Sequence, residues 1–120
     1  MDEVVNKLSE KYWNYIISNN QRSVIEAFLH HHKMREKFKY ISGREDWRPK
    51  QEKIIECLEE VDQDPTESWF ITDSVGDVEA AHDIKVQSLA VTWGYHELQR
   101  LQKSNPTKIV IRPKEILEIL

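Results

Sequence analysis

The chain has 120 residues, 39% of them hydrophobic and 32% charged, with 17 Lys and Arg against 21 Asp and Glu for a net charge of −4. That size and balance suit one globular domain and exclude a disordered chain. They also argue against nucleic acid as a partner, whose usual footprint is a basic face, and no apolar run is long enough to span a membrane. Met-Asp-Glu at the N-terminus does not read as a signal peptide, so the expected location is the cytoplasm. The single Cys57 cannot form an internal disulfide and reads as a small buried hydrophobe.

Residues 2–11 read as a helix, with Val4, Val5 and Leu8 on one face. Tyr12 to Ile17 is β-prone and aromatic, and reads as a strand. Ser18-Asn19-Asn20 breaks it, and Ser18 or Asn20 can cap the helix that follows. That helix covers about 21–32, with Val24, Ile25, Phe28 and Leu29 as its apolar stripe, and continues as a further turn over 34–37. Phe38, Tyr40 and Ile41 make a short strand ending at Ser42-Gly43. A polar loop over 43–50 leads to a helix over about 50–61, and Asp62-Gln63-Asp64-Pro65 ends it. Trp69 to Thr72 is a short apolar strand, followed by an acidic turn carrying Asp73 and Asp77 and by the start of a helix. Val86 to Thr92 is another strand, Trp93-Gly94-Tyr95 a loop, and His96 to Lys103 a helix with Leu98 and Leu101 inward. Asn105-Pro106 turns the chain into a last strand at Lys108 to Ile111 and a last helix at Pro113 to Leu120.

Helices and strands alternate throughout, which points to βαβ units and right-handed crossovers. Ile16-Ile17, Trp69-Phe70-Ile71 and Leu89-Ala90-Val91 are apolar on successive positions, as strands covered on both faces are. The expected fold is a single α/β domain over 1–120: five short, mainly parallel strands in a three-layer α/β/α sandwich. Trp13 and Trp69 are expected in its core.

In an open α/β sheet, ligands bind beyond the carboxyl ends of the strands. Asp73 and Asp77 stand at such a place, and two carboxylates there suit Mg²⁺, which takes a few carboxylate oxygens and keeps several waters. The alternative is structural: Asp73 starts a turn and Asp77 caps a helix. His30-His31-His32 offers no metal site, since consecutive helical positions point apart. Trp47, in a polar loop, is a candidate contact surface for a partner.

Four blocks in order carry a resemblance: Ile16-Ile-Ser-Asn-Asn20, Ile41-Ser-Gly-Arg-Glu-Asp46, Phe70-Ile-Thr-Asp-Ser-Val-Gly-Asp-Val-Glu-Ala-Ala81 and Ala90-Val-Thr-Trp-Gly-Tyr-His96. Together they resemble the haloacid dehalogenase superfamily, and within it the phosphoglycolate-phosphatase-like phosphohydrolases. The resemblance implies a Rossmann-like core, Mg²⁺ and hydrolysis of phosphate monoesters. It assigns Ser18 and the Asn19 amide to the phosphoryl group, Asp73 and Asp77 to the metal, and a cation from the 48–53 segment to phosphate neutralisation. Lys50 is the chosen cation, with Arg48 and Lys53 as alternatives. Thr72 stands where the family usually has Gly.

The family's first motif, Asp-x-Asp-x-Thr at the end of the central strand, has no counterpart at a strand end here. The literal match at Asp62-Gln63-Asp64-Pro65-Thr66 follows a helix and fits a turn. The resemblance therefore begins after the first motif and the cap domain, as in a truncated core, and implies no catalytic nucleophile and no turnover by this chain alone. In the family the absent strand lies between the Tyr12–Ile17 and Trp69–Thr72 strands. Either these two pair directly, or a strand from another chain fills the gap, which makes a second chain or a homo-oligomer the expected partner. A phosphate or small phosphorylated ligand is the expected small molecule. The competing reading is a non-enzymatic interaction or assembly module, or half of a split enzyme.

Overall fold

The computed structural model of the protein describes residues 2–93 and 98–120. Six α-helices and five strands alternate: α1 (Asp2–Lys11), β1 (Tyr15–Ile17), α2 (Arg22–His31), β2 (Tyr40–Ser42), α3 (Lys50–Glu60), β3 (Trp69–Thr72), α4 (Val75–Asp83), β4 (Gln87–Val91), α5 (Leu98–Lys103), β5 (Lys108–Val110) and α6 (Glu115–Ile119). Short 3₁₀ turns at Arg35–Lys37 and Pro65–Glu67 precede β2 and β3. Every strand pairing is parallel, as the alternation requires. The sheet, however, is in two pieces: β1 pairs only with β2, and β4 sits between β3 and β5. Direct pairing of β1 with β3, one of the two expected outcomes, does not occur.

Three helices cover each face. Val4 and Leu8 of α1 and Ile116 of α6 pack with Leu89, Val91 and Val110. On the same face, Leu29 of α2 packs with Met34, Ile41, Ile16 and Val5. Across the sheet, Val78 of α4 and Leu101 of α5 enclose Ala90 and Ile109. Ile54 and Leu58 of α3 pack with Ala81, Val86, Ile17 and Phe70. Two helices therefore bridge the two sheets: α1 touches both through Val5 and Leu8, and α3 holds Ile17 of β1 and Phe70 of β3 in one cluster. This is the three-layer sandwich expected from the alternation.

Burial sorts the strands by their neighbours rather than by their composition. β4, flanked on both sides, is buried from Ser88 to Val91, and Ser88 exchanges hydrogen bonds with Thr107 through both hydroxyls. β1 and most of β3 are equally apolar but only half-buried, and Ile71 is exposed. Burial on both faces, expected for all three apolar runs, holds for β4 alone.

Four helices are followed by a residue in the left-handed region, and none of the four is glycine: Lys33, Asp62, Lys85 and Asn105, with φ of 57°, 52°, 62° and 57°. After α2, α3 and α4 the next amide bonds back to a carbonyl five residues earlier, as Met34 does to Leu29 at 2.8 Å. Gly43 is glycine for a different reason. A Cβ there would lie 2.6 Å from the backbone nitrogen of Arg22, so only glycine lets the end of β2 approach the start of α2.

Other readings shift on contact with the packing. Trp13, expected in the core, is 66% exposed and lies under the Lys39 ammonium, because the chain at 12–14 runs ahead of the strand along the surface. The aromatic stretch from Tyr12 thus contributes only Tyr15–Ile17 to the ladder. Trp69 packs against the core as expected. On α2 only Leu29 is fully buried, while Val24 and Phe28 face outward. Neither Ser18 nor Asn20 caps α2, whose cap position is Gln21. Trp47 is 89% exposed. The loop at 93–95 and His96 fall largely at 94–97, outside the described residues.

Candidate functional site

The acidic turn follows directly from the local sequence. β3 is short and apolar, Thr72 is its last residue, and α4 begins two residues later at Val75. Asp77 falls in the first turn of α4, where the helix dipole favours a carboxylate. It does not cap the helix. Its Oδ2 accepts a hydrogen bond from the Thr72 hydroxyl at 2.7 Å, and its Oδ1 accepts one from Lys50 Nζ at 2.8 Å. The Thr72 hydroxyl in turn accepts from the Ser74 amide at 3.1 Å. Thr72 is 6% exposed and thus works as a staple between the strand end and the helix. Sequence reading noticed Thr72 only as a departure from glycine; the signal for its role was a hydroxyl five residues before an acid across a tight turn.

Lys50 reaches this turn because α3 starts beside α4, with Pro49 at its cap. Both partners of the Lys50–Asp77 ion pair are mostly buried, with 21% and 15% of their side chains exposed. The other two candidate cations are engaged elsewhere. Arg48 pairs with Asp46 at 2.6 Å and with Glu56. Hydrogen bonding from Arg48 holds the Asp46 carboxyl down at about 2. Lys53 is buried and donates to the Gly43 carbonyl at 3.3 Å.

Ser18 and Asn19 follow β1 as Asp73 follows β3. The Ser18 amide donates to Ser42 at 2.9 Å, extending the β1–β2 ladder, and its hydroxyl accepts from the Asn20 amide at 3.1 Å. Asn19 is exposed. The Asp62–Thr66 segment is a turn: Asp62 has φ of 52°, and Asp64 accepts from the Thr66 amide and hydroxyl, both at 2.8 Å.

Mg²⁺ requires oxygen donors, and the turn supplies carboxylates only. Lys50 and Thr72 each use one acceptor position of Asp77, and a carboxylate has about four, so capacity for a cation remains. Asp73 and Asp77 therefore fit Mg²⁺ with most of its shell left to water. Among the described residues there is no group of three or more His, Cys, Asp or Glu placed to hold a metal.

Between β1 and β3 lies a cavity of about 640 Å³. Tyr15, Ile16 and Ile17 line one side and Trp69, Phe70 and Ile71 the other. Leu8 of α1 and Leu120 close one face, and Ile54, Cys57 and Leu58 of α3 the opposite face. Two of its polar groups are shielded in ways that leave a titration signature. Burial, then the Glu60 carboxylate, pushes the Tyr15 hydroxyl up to about 12; burial, then Glu60 and Glu56, pushes the Cys57 thiol up to about 11. Both folded values lie above the unfolded ones of 10.0 and 9.0, so the folded state keeps protons that the unfolded chain loses. Stability from these groups is complete below pH 9 and falls as pH rises through 12. The Tyr15 hydroxyl is buried without a hydrogen-bond partner. Tyr15→Phe should therefore be as stable as the parent or more so near neutrality. It should also lose less of its urea midpoint between pH 10 and 12.

Residues 1–91 match the model of the haloacid dehalogenase-like hydrolases. The chain belongs to this family. It is 28% identical over 103 residues to a phosphoglycolate phosphatase of Synechococcus elongatus, covering 86% of this chain and 49% of that protein. Among solved structures, a haloacid dehalogenase-like hydrolase from Streptococcus pneumoniae matches at 26% identity with a TM-score of 0.87, over 98% of this chain and 57% of that one. A protein from Clostridium difficile assigned as a phosphatase matches at 25% identity and a TM-score of 0.90, over 100% of this chain and 58% of that one. The chain thus spans about half the length of the family members it matches. The α/β core is that of the haloacid dehalogenase-like family, and its acidic turn occupies the C-terminal end of β3. Among the described residues no helix is long and apolar enough to cross a membrane.

Proposed function

We propose that this chain is the core portion of a Mg²⁺-dependent phosphate monoester hydrolase, able to bind metal and phosphate but not to turn over substrate alone. The observation that carries this reading is the contact of Lys50 with Asp77 at 2.8 Å at the carboxyl end of a parallel strand. Asp73 and Asp77 hold Mg²⁺, which would offset charge on the phosphoryl oxygens. Lys50 places a fixed cation beside the metal carboxylates, where a phosphate dianion gains most from it. Thr72 keeps Asp77 from swinging away, and the Ser18 hydroxyl and Asn19 amide donate to the phosphoryl group from the β1 side. A carboxylate nucleophile must come from outside this set, because Asp64 is spent as a turn cap. The proposed setting is the cytoplasm.

The unfilled space between β1 and β3 favours a second reading beside it: an assembly module, or half of an enzyme completed by another polypeptide. Incubating the purified chain with a generic aryl phosphate and Mg²⁺ should give no turnover, while calorimetry should register Mg²⁺ binding that Asp73→Ala weakens at least tenfold. Turnover by the chain alone, abolished by Asp73→Ala, would show that the nucleophile is already present.

A further inference from the structure

The space between β1 and β3 is bounded as a place for one strand. A strand's backbone groups point alternately to its two edges, and β1 uses only one set. The Asn14 carbonyl accepts from Lys39 at 2.7 Å and the Ser18 amide donates to Ser42 at 2.9 Å, so even-numbered residues face β2. The N–H and C=O of Tyr15 and Ile17 then face the cavity. In β3 the Ser68 carbonyl accepts from Gln87 at 3.1 Å, so even-numbered residues face β4. The N–H and C=O of Trp69 and Ile71 then face the cavity from its other side. Two edges with spare donors and acceptors at two-residue spacing oppose each other across an apolar gap. A single extended chain between them would satisfy both.

The side chains complete the outline. A strand in this position would alternate its residues between Leu8, Trp69 and Leu120 on the α1 face and Ile54, Leu58 and Phe70 on the α3 face. Both faces are apolar, so the guest must be apolar on successive positions. The Asn14 side-chain nitrogen lines the same cavity, buried and without a partner.

We propose that this cavity is a strand-acceptor site that takes an extended, apolar segment of a different polypeptide by β-augmentation on both edges, parallel to β1 and β3. The inference rests on sheet topology and does not depend on the phosphatase reading. β4 supplies the pattern for the guest, being the strand of this protein that lies between two parallel neighbours under two helical layers.

The test uses the whole chain and a synthetic peptide copying Gln87–Val91 between lysine tags, read by amide hydrogen exchange. Saturating peptide should slow exchange at Tyr15, Ile17, Trp69 and Ile71 at least tenfold and leave Ile16 and Phe70 nearly unchanged. The same peptide methylated on alternate backbone nitrogens should have no effect. Absence of protection at millimolar peptide overturns the proposal. Equal protection by the methylated peptide reduces the cavity to an apolar groove without strand pairing, and also overturns it. Protection of the same four amides on self-association, without peptide, assigns the site to a second copy of this chain instead. Since the peptide carries no carboxylate side chain, none of these outcomes bears on metal or phosphate binding.

Discussion

Leu89→Ala will cost the protein about 2–5 kcal/mol, the range for emptying a fully buried leucine position. Leu89 is 0% exposed and packs among Val4, Leu8, Val91, Val110 and Ile116, a cluster drawn from two strands and two helices. A domain of this size has a total stability on the order of 5–15 kcal/mol, so the loss takes a large part of the whole. The informative comparison is Ile71→Ala. Ile71 lies on the neighbouring strand in register with Leu89, yet is 36% exposed. Its removal should cost about 1 kcal/mol, in proportion to the smaller apolar area withdrawn from water. Urea unfolding followed by far-UV circular dichroism gives both numbers. Equal costs would mean that β3 is covered on its outer edge after all.

Asp77→Ala should cost about 2 kcal/mol, second only to the core truncation. Removing one member of a fully buried ion pair costs roughly 3–5 kcal/mol, because the survivor stays desolvated and unpaired. Here Lys50 retains 21% of its side-chain exposure, and water recovers part of that energy. The change also leaves the buried Thr72 hydroxyl without its acceptor. Lys50→Met should be milder, about 1 kcal/mol, since Asp77 keeps the Thr72 hydrogen bond and the start of α4. If the pair interacts as its geometry requires, the double variant will cost less than the sum of the two single ones. Strict additivity would argue that the contact between Lys50 and Asp77 contributes nothing in solution.

The parts of the fold legible in the sequence were those set by local rules. The alternation of 3.6-residue and two-residue patterns gave the parallel pairings. The bounds of α1 follow from Val4, Val5 and Leu8, and a helix placed at 50–61 is found at Lys50–Glu60. Acidic residues after an apolar strand located the turn, and Lys50 does reach Asp77. What stayed hidden was set by distant neighbours. Nothing within Tyr12–Ile17 tells that Trp13 lies on the surface, nor does Val24 or Phe28 announce that it faces solvent. The helix ends could not be read from glycine, because Lys33, Asp62, Lys85 and Asn105 take the left-handed conformation themselves. The engagement of Arg48 by Asp46 and Glu56, which separates it from Lys50, depends on loop geometry that spacing does not encode.

The division of the sheet also bears on how the molecule comes apart. No strand-to-strand hydrogen bond joins the β1–β2 pair to the β3–β4–β5 group. Only side-chain packing through α1 and α3 makes them one body. Opening of the first fifty residues therefore breaks no ladder in the remainder, and the two parts are separate cooperative units with their own opening free energies. A guest strand hydrogen-bonded to both would merge them into a single unit, so that occupancy at the centre would be felt as slower exchange at both margins.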